Sequence, residues 1–400
     1  MTFSTNIGKL KPSATMAVSA LAKRLAAEGR DIINLSAGEP DFDTPAFISD
    51  AAIAGIRAGG TRYTAAPGMP ELRKAIATHL SDRARREIPW EGIVASTGAK
   101  QALFNAIFAL FGPGDDVLVL TPYWTTYPDL VQLARAEPVF AAGDEARDFK
   151  VTPADLDAAV TDRTRGLVLN SPSNPSGAVY SLDELRAIAG WARDRDVWVI
   201  SDEIYRTIYY GPGGAAAPGV LDLDPAELGR FVLIDGLSKS HAMTGWRFGF
   251  SYSDVELARK LTALQSQITS NPSTPTQLAA LEAYREEQAS AAAIADMGKA
   301  FRRRRDLVVS RIRELFPDVR LVEPEGAFYV YFRVDAFFDD QVRDATAWCS
   351  KLIEEAGVAL VPGAAFGDDR WARMSYAAAD EDLLAALDRM AAMVGARAKG

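Results

Sequence analysis

Residues 166–205 read GLVLNSPSNPSGAVYSLDELRAIAGWARDRDVWVISDEIY and contain one strand–turn–helix–strand unit. The apolar run 166–170 predicts a buried strand, because it is short and ends in a turn rich in Ser and Pro. Ser181 and Glu184 have the spacing of a capping box and predict the start of the helix. The apolar run 197–200 predicts a second strand. A helix between two such strands is typical of parallel pairing.

The same alternation of short apolar runs and helical patterns extends to both sides of this unit. A helix is predicted over 99–111, where Gly-Pro-Gly at 112–114 ends it. Further strands are predicted over 117–120 and 231–234. This alternation predicts an α/β fold with a mostly parallel central sheet flanked by helices on both faces.

The last quarter of the sequence has a different pattern, with a long helix followed by short strands. This indicates a smaller α+β domain. The predicted elements are a helix over 290–316, strands over 328–334, 358–361 and 372–376, and a final helix from about 381.

We therefore predict two domains, the smaller of which is made from both chain ends. Residues 1–45 show no strand pattern and are expected to pack on the small domain. The large domain would comprise residues 46–285 and the small C-terminal domain residues 286–400.

The composition of the 400-residue chain excludes several classes of function. The net charge of −9 argues against a nucleic-acid binder and against docking on anionic membranes. One cysteine, Cys349, excludes internal disulfides and cysteine-based zinc sites, and two histidines, His79 and His241, leave little scope for a metal. The most apolar run, 102–111, is half the length that a membrane helix needs. We expect a cytoplasmic protein without a metal.

Polar and charged side chains follow the predicted parallel strands, at the sheet edge where ligands bind in such folds. Asn174 follows the first strand of the quoted unit, Asp202 and Tyr205 follow the second, and Lys239 and Arg247 follow the next. Each has an ordinary alternative explanation, such as a turn asparagine, a helix cap or a surface lysine. Their coincidence at consecutive strand ends favours a functional site.

A phosphate site is indicated at the start of the helix predicted from residue 99. The sequence Ser96-Thr97-Gly98-Ala99-Lys100 places backbone amides and a positive dipole end together. Many helices begin in this way. The sequence therefore favours a phosphate site here only in combination with the polar residues that follow the strands.

These residues lie in motifs that resemble the class I pyridoxal-phosphate-dependent aminotransferases, which have PLP fold type I. The resemblance is greatest to the bacterial aspartate/prephenate aminotransferase branch and covers almost the whole chain, with the motifs in the family's order and spacing. The motifs are KPSAT at 11–15, GEPDF at 38–42, SPSNPSG at 171–177, SDEIY at 201–205, SK at 238–239, GWR at 245–247 and RMSY at 373–376.

The resemblance implies a pyridoxal 5′-phosphate cofactor and three catalytic residues. Lys239 would hold the cofactor as a Schiff base and later move a proton between the substrate Cα and the cofactor C4′. Asp202 would keep the pyridine nitrogen protonated, so that the ring can accept the carbanion electrons. Tyr205, together with Asn174, would hydrogen-bond the phenolic oxygen of the ring.

The resemblance assigns the cofactor phosphate to one arginine and the helix start described above. The family often has a hydroxyl residue where this chain has Gly236, so one phosphate contact is missing or is supplied by Ser238. The implied phosphate ligands are Arg247, Ser238 and the backbone at Gly98, Ala99 and Lys100.

Two aromatic residues complete the implied cofactor site. Trp124 would stack on the ring and border the substrate. Tyr63 would reach the phosphate of a neighbouring subunit, which implies a homodimer with active sites shared across the interface.

The resemblance also implies the groups that bind the substrate. Arg373 would bind the α-carboxylate, beside Gly38 and Asn174. No counterpart exists for the arginine that binds the second carboxylate in another branch of the family. In the branch that this chain resembles, Lys100 takes that role, although it is equally a lysine at a helix start near the phosphate. Ser13 and Thr15 would assist Lys100.

The implied activity is transamination between aspartate or glutamate and a 2-oxo acid, such as 2-oxoglutarate or oxaloacetate, by a ping-pong mechanism. Aromatic or prephenate transamination is the alternative within the family, and the same fold also supports lyase and decarboxylase chemistry. A non-catalytic ligand sensor is a remote third hypothesis. It is disfavoured by the acidic balance of the chain and by the expectation that no helix-turn-helix precedes residue 1.

Overall fold

The computed structural model describes residues 4–10, 12–212 and 216–397 of the chain. Lys11, the first residue of the KPSAT motif, lies outside the described residues, as do the outermost residues of the predicted small domain. Thirteen strands occur in the described part. They are β1 (Ile33–Asn34), β2 (Ile93–Thr97), β3 (Asp116–Thr121), β4 (Glu137–Ala142), β5 (Thr164–Asn170), β6 (Trp198–Asp202), β7 (Phe231–Gly236), β8 (Phe248–Tyr252), β9 (Leu321–Val322), β10 (Tyr329–Arg333), β11 (Val358–Ala359), β12 (Val361–Pro362) and β13 (Trp371–Ser375).

Thirteen α-helices accompany these strands in the same described residues. They are α1 (Thr5–Lys9), α2 (Ala14–Ala27), α3 (Ala46–Arg57), α4 (Pro70–Ala84), α5 (Ala99–Leu110), α6 (Thr126–Leu133), α7 (Pro153–Ala159), α8 (Leu182–Asp194), α9 (Val255–Ile268), α10 (Thr274–Arg285), α11 (Glu287–Leu315), α12 (Ala345–Glu355) and α13 (Asp380–Arg397).

Seven strands form the central sheet, in the order β2-β8-β7-β6-β5-β3-β4. Only β8 runs antiparallel to its neighbours β2 and β7, so the prediction of a mostly parallel sheet is confirmed. Asp202 at the end of β6 lies opposite Asn170 of β5 and Ile234 of β7. The carboxyl ends of these strands are therefore level, which brings the residues that follow them to one edge.

Alternate residues of the central strands face opposite sides of the sheet, because side chains alternate along a strand. Val119 and Ile200 pack in one buried cluster with residues of α5, such as Leu103. Leu118 and Val199 pack in another cluster, with residues of α8. Helices thus cover both faces, as predicted.

The predicted capping box starts α8. Glu184 Oε2 accepts a hydrogen bond from the Ser181 amide at 2.7 Å, and Ser181 Oγ accepts one from the Glu184 amide at 3.3 Å. Leu185 and Ile188 are then buried on the face that packs against the sheet. Each such side chain contributes about 1.5–3 kcal/mol by its burial.

A four-stranded antiparallel sheet, in the order β12-β13-β10-β9, forms the second layer of structure. Strands β10 and β13 lie within one residue of their predicted positions. The predicted strand over 358–361 is two short strands, because β11 and β12 belong to different sheets.

Residues 1–45 show no strand pattern in the sequence, but they contribute one short strand. Ile33 and Asn34 form β1, which pairs in parallel with Val358 and Ala359 of β11. A two-residue strand has too few side chains to show a pattern in the sequence. No helix within the described residues is both long and apolar enough to cross a membrane.

Candidate active site

One cavity of about 480 Å³ lies at the carboxyl edge of the central sheet and is also lined by residues from the four-stranded sheet. It brings together most of the site residues predicted from the sequence. Those that line it are Ser13, Thr15, Gly38, Ala99, Lys100, Trp124, Asn174, Asp202, Tyr205, Ser238, Lys239, Arg247 and Arg373.

Lys239 lies in the turn that follows β7 and extends into this cavity. Its Nζ atom donates a hydrogen bond to the carbonyl oxygen of Gly38 at 2.5 Å. Desolvation lowers the pKa of Lys239 to about 8, and the positive charges of Arg247 and Arg373 act in the same direction, whereas Glu39 opposes them. A fraction of the amine is therefore neutral, and hence nucleophilic, near neutral pH.

Asp202 is the last residue of β6 and is 2% exposed. Its carboxylate accepts hydrogen bonds from the Tyr127 hydroxyl at 2.7 Å and from the Ile204 amide at 3.2 Å. Burial raises the pKa of Asp202 to about 6, although both hydrogen bonds oppose this rise. Tyr127 was not predicted from the sequence. It lies three residues after Trp124, and nothing in the sequence around it indicates that it contacts Asp202.

Tyr205 follows β6 and lies with its hydroxyl oxygen 2.9 Å from that of Tyr329. Lys239 Nζ lies 5.9 Å from the centre of the Tyr205 ring. Burial raises the pKa of Tyr205 well above its usual value, so its hydroxyl keeps its proton. Tyr329, on β10 of the four-stranded sheet, was also not predicted, because neither its residue type nor its spacing indicates its contact with Tyr205.

Arg373 on β13 is 1% exposed and is held in a fixed orientation. Its Nη1 atom donates to Asn174 Oδ1 at 2.9 Å, and its Nη2 atom donates to the Ser36 carbonyl at 2.8 Å. Its Nε atom is buried without a hydrogen-bond partner among the described atoms. Burial lowers the pKa of Arg373, and Tyr329 and Tyr205 oppose that effect. A buried guanidinium with spare donor capacity is suited to a carboxylate.

Arg247 lies against the start of α5, at the other end of the cavity. Gly98 has φ of +85° and is the N-cap, and a Cβ atom there would lie 2.5 Å from a terminal nitrogen of Arg247. The Gly98 amide donates to the Ser96 carbonyl at 2.8 Å. The amides of Ala99 and Lys100 begin the helix, where no intrahelical acceptor exists. An arginine beside a helix start is suited to bind an anion.

The structure explains the glycine at position 236. A Cβ atom on Gly236 would lie 2.8 Å from both the Cα atom of Gly249 and the carbonyl oxygen of Phe248, so the pairing of β7 with β8 excludes a side chain there. Ser238, two residues on, has a hydroxyl and lines the cavity.

Lys100 extends toward Trp124, with Nζ 4.9 Å from the centre of a ring. Desolvation lowers the pKa of Lys100, and Arg247 lowers it further. Ser13, the N-cap of α2, and Thr15 line the same cavity. Tyr63 does not line it and is 90% exposed.

The residues described contain no group of three or more His, Cys, Asp or Glu side chains that could hold a metal ion.

Comparisons with known proteins identify the family of the chain. The chain is 43% identical over 396 residues to an aspartate/prephenate aminotransferase of Cereibacter sphaeroides, covering 97% of this chain and 98% of that protein. It is 38% identical to an aspartate aminotransferase of Geobacillus stearothermophilus over the full length of both. The solved structure of a Thermus thermophilus aspartate aminotransferase with maleate superposes with a TM-score of 0.91 at 38% identity, covering 98% of this chain and 99% of that one. Residues 30–390 match the family of class I and II aminotransferases, and the chain belongs to that family.

Proposed function

We propose that this chain catalyses transamination between aspartate or glutamate and a 2-oxo acid by a ping-pong mechanism. One observation carries the proposal: Lys239, with a pKa of about 8, and the buried carboxylate of Asp202 face the same cavity as Arg373. Amino-acid chemistry on pyridoxal phosphate needs three groups. They are an amine that acts as the nucleophile, an anion that pairs with the cationic ring of the cofactor, and a cation that binds the substrate carboxylate.

Enzymes of this family use pyridoxal 5′-phosphate, and the residues of the cavity fit that cofactor. Asp202 has a hydroxyl and an amide as partners and, among the described residues, forms no ion pair, so it is suited to a protonated ring nitrogen. Arg247 and the start of α5 would hold the phosphate, and Trp124 would lie along the ring. Lys239 would bind the cofactor covalently. When bound, pyridoxal 5′-phosphate supplies an electron sink for the substrate carbon that loses a proton.

Lys239 acts as the base at the substrate Cα. With a pKa of about 8, roughly a tenth of the amine is neutral at pH 7 and can take a proton. The Gly38 carbonyl, which accepts a hydrogen bond from Nζ, keeps the amine directed into the cavity. Tyr205 and Asn174 would orient the ring oxygen of the cofactor, since both line the cavity beside Lys239.

Arg373 binds the α-carboxylate of the amino acid, and its bonds to Asn174 and Ser36 orient it before substrate arrives. Preorganisation of this kind lowers the cost of binding, because the side chain loses little freedom when substrate arrives. Lys100 binds the side-chain carboxylate of aspartate, aided by Ser13 and Thr15. Because Arg373 and Lys100 each bind one carboxylate, the site selects a substrate with two carboxylates.

Prephenate is a second candidate substrate. The Cereibacter sphaeroides relative, at 43% identity, is an aspartate/prephenate aminotransferase. Prephenate also carries two carboxylates, which Arg373 and Lys100 would share.

We further propose that the protein is a homodimer with shared active sites. Tyr63 is 90% exposed and lies outside the cavity of its own chain. Ile53 and Ile56 are exposed on α3, which leaves apolar surface near the same part of the chain. We infer that a second subunit covers this surface and that Tyr63 contacts the phosphate site of that subunit.

We also propose the division into domains 1–45 plus 286–400, and 46–285. Strands β2 to β8 all belong to residues 46–285 and form one sheet. Ile33 and Leu35 pack in the same buried cluster as Leu360 and Met374. The two chain ends thus share a core, which supports one small domain built from both.

A cytoplasmic location is proposed as well. It is supported by the single cysteine, Cys349, which is a free and buried thiol. A chain with one cysteine depends on no internal disulfide and suits a reducing compartment.

The proposed function is tested by assaying the purified protein, loaded with pyridoxal 5′-phosphate, with aspartate, glutamate and phenylalanine against 2-oxoglutarate, oxaloacetate and prephenate. We expect the highest kcat/KM for aspartate with 2-oxoglutarate. Lys239→Ala should abolish both turnover and the visible absorbance of the bound cofactor, whereas Lys260→Ala, at an exposed lysine on α9, should change neither. Full turnover by Lys239→Ala, or release of ammonia or carbon dioxide from the amino donor in place of amino transfer, would disprove the assignment.

A further inference from the structure

Tyr329 connects two parts of the active site to which the proposed function assigns separate tasks. It is the first residue of β10 and is fully buried. Its hydroxyl oxygen lies 2.9 Å from the hydroxyl oxygen of Tyr205, which follows β6 of the central sheet. The guanidinium carbon of Arg373 lies 4.4 Å from the centre of the Tyr329 ring. One side chain thus contacts both a cofactor-facing and a carboxylate-binding residue.

The surroundings hold Tyr329 in this position. A Cβ atom on Gly38 would lie 3.0 Å from the Tyr329 hydroxyl, so the loop that contacts Lys239 also packs closely on Tyr329. The rings of Tyr205 and Tyr329 meet edge to face, with their centres 5.8 Å apart. The charged groups that act on the two hydroxyls are Glu39, Asp202 and Arg373. The Lys239 amine lies over the Tyr205 ring, 5.9 Å from its centre.

We propose that Tyr329 is a positioning residue, which donates a hydrogen bond to the Tyr205 oxygen and holds the Arg373 guanidinium against its ring. The proposal rests on the proposed function. A tyrosine hydroxyl has one hydrogen to donate. If Tyr205 donates that hydrogen to the ring oxygen of the cofactor, the hydrogen between the two tyrosines must come from Tyr329.

This direction of donation has a chemical consequence. Hydrogen bonds in a chain polarise one another, so a Tyr205 oxygen that accepts from Tyr329 becomes a stronger donor. A stronger donor stabilises negative charge on the cofactor ring oxygen. The pKa of the visible chromophore, which is the cofactor bound to Lys239, is therefore lower than it would be with Tyr205 alone.

The test is a spectrophotometric pH titration of the cofactor-loaded protein, with Tyr329→Phe as the variant. Phenylalanine keeps the ring against Arg373 and removes only the hydroxyl. We expect the pH midpoint of the titration, followed by the visible absorbance, to rise by roughly half a pH unit. We also expect the dissociation constant for maleate to stay within about twofold, since the ring that contacts Arg373 remains. An unchanged midpoint would overturn the inference.

Tyr331→Phe is the matched control. Tyr331 lies on the same strand, is fully buried, and has a hydroxyl without a hydrogen-bond partner among the described atoms. It does not line the cavity. We expect its midpoint to equal that of the unmodified protein. An equal rise in both variants would mean that any lost hydroxyl in β10 has this effect, and the inference would fail.

A double variant separates action through Tyr205 from a general effect on packing. Tyr205→Phe alone should raise the midpoint, and adding Tyr329→Phe should raise it no further, because the second hydroxyl acts through the first. Equal increments in both backgrounds would contradict the proposal.

The failure of the proposed function has a different signature. If the unmodified protein acquires no visible band with pyridoxal 5′-phosphate, or if Lys239→Ala retains that band, the proposed function itself fails. A normal titration of the unmodified protein with an unshifted Tyr329→Phe refutes only the role of Tyr329.

Discussion

Arg373 Nη1 donates a hydrogen bond to Asn174 Oδ1 at 2.9 Å, across 199 positions of sequence. Asn174 follows a strand of the central sheet, whereas Arg373 belongs to β13 of the four-stranded sheet. The Asn174 amide donates in turn to Asn170 Oδ1 at 2.9 Å, and the Asn170 side chain donates to the Asp202 carbonyl at 2.9 Å. A continuous path of hydrogen bonds therefore joins the proposed carboxylate-binding arginine to the strand that carries Asp202.

Glu39→Gln should make Lys239 reactive at lower pH. The Glu39 carboxylate raises the pKa of Lys239, against the larger effect of desolvation that brings it to about 8. The neutral amine becomes the major form as pH rises through this value, so removal of the negative charge moves the transition to lower pH. We expect the rate at which the apoprotein captures pyridoxal 5′-phosphate to reach its plateau at lower pH. Stopped-flow absorbance measures this rate.

The control for this prediction is Glu71→Gln, at an exposed glutamate in the first turn of α4. It removes the same charge outside the cavity and should leave the pH profile unchanged. A Glu39→Gln profile that coincides with that of the control would show that Glu39 does not act on Lys239.

Lys100→Ser should weaken the use of aspartate far more than that of phenylalanine. A charge-assisted hydrogen bond to the side-chain carboxylate contributes about 1.5–3 kcal/mol, so kcat/KM for aspartate should fall roughly 10- to 100-fold. Lys74→Ser is a close control, because Lys74 Nζ also lies over a tryptophan, 5.4 Å from the Trp90 ring centre, but does not line the cavity. Equal losses for aspartate and phenylalanine would remove Lys100 from substrate selection.

In Tyr127→Phe, the affinity for the cofactor should begin to fall at a higher pH as the solution is acidified. The Tyr127 hydroxyl bonds the Asp202 carboxylate at 2.7 Å and lowers its pKa, which burial nevertheless raises to about 6. Without this bond the pKa of Asp202 rises further. The Asp202 carboxylate, which we propose pairs with the ring nitrogen of the cofactor, is then protonated at a higher pH during acidification. Equilibrium titrations of the apoprotein with pyridoxal 5′-phosphate between pH 5 and pH 8 (a window chosen around the Asp202 value) should show this shift.

An affinity for the cofactor in Tyr127→Phe that follows the unmodified protein at every pH would refute this role. Tyr252→Phe, at the end of β8 and outside the cavity, serves as the control and should leave the affinity profile unchanged.

Gly98→Ala should weaken cofactor binding by displacing Arg247. The added Cβ atom would lie 2.5 Å from a guanidinium nitrogen, and the φ of +85° costs an alanine about 1–2 kcal/mol. We expect the dissociation constant for pyridoxal 5′-phosphate to rise by about tenfold or more, together with a lower melting temperature. Gly190→Ala in α8 has open space around the new methyl group and should stabilise the protein by up to about 1 kcal/mol. Unchanged cofactor affinity in Gly98→Ala would argue against an anion site at this helix start.

The helices and strands that were predicted well are those whose formation depends on residues close together in the sequence. The β5–α8–β6 unit has short apolar runs, a capping box and helical spacing of Leu185 and Ile188, and each of these signals is complete within a few residues. The long helix predicted over 290–316 is α11, Glu287–Leu315. Local periodicity is sufficient for such elements.

Strand β8 was not predicted because its formation depends on contacts with residues distant in the sequence. Its sequence, FGFSY, is interrupted by Gly249, where a Cβ atom would lie 2.2 Å from the Ala99 amide nitrogen. The glycine is required by the close approach of α5 and weakens the strand pattern. Its antiparallel place between β2 and β7 depends on the whole sheet.

The same distinction applies to the candidate site. Asp202 and Lys239 were predicted because they follow strands and match family motifs. Tyr127 and Tyr329 were missed because what they do depends on the atoms opposite them, Asp202 Oδ2 and the Tyr205 hydroxyl. Neither residue type nor spacing carries that information.

The pairing of the chain's beginning with its end also affects how the protein is made. Ile33 and Asn34 pair with Val358 and Ala359, which are synthesised more than 300 residues later, and within the described part of the chain the edge strand β2 pairs only with β8. During vectorial synthesis on the ribosome, the first segments therefore emerge long before the surfaces that cover them. Non-local pairing of this kind also slows folding, because the closure entropy is lost before the contacts form. The nascent chain thus carries β1 and β2 without their partner strands until residues 358–359 and 248–252, respectively, have been made.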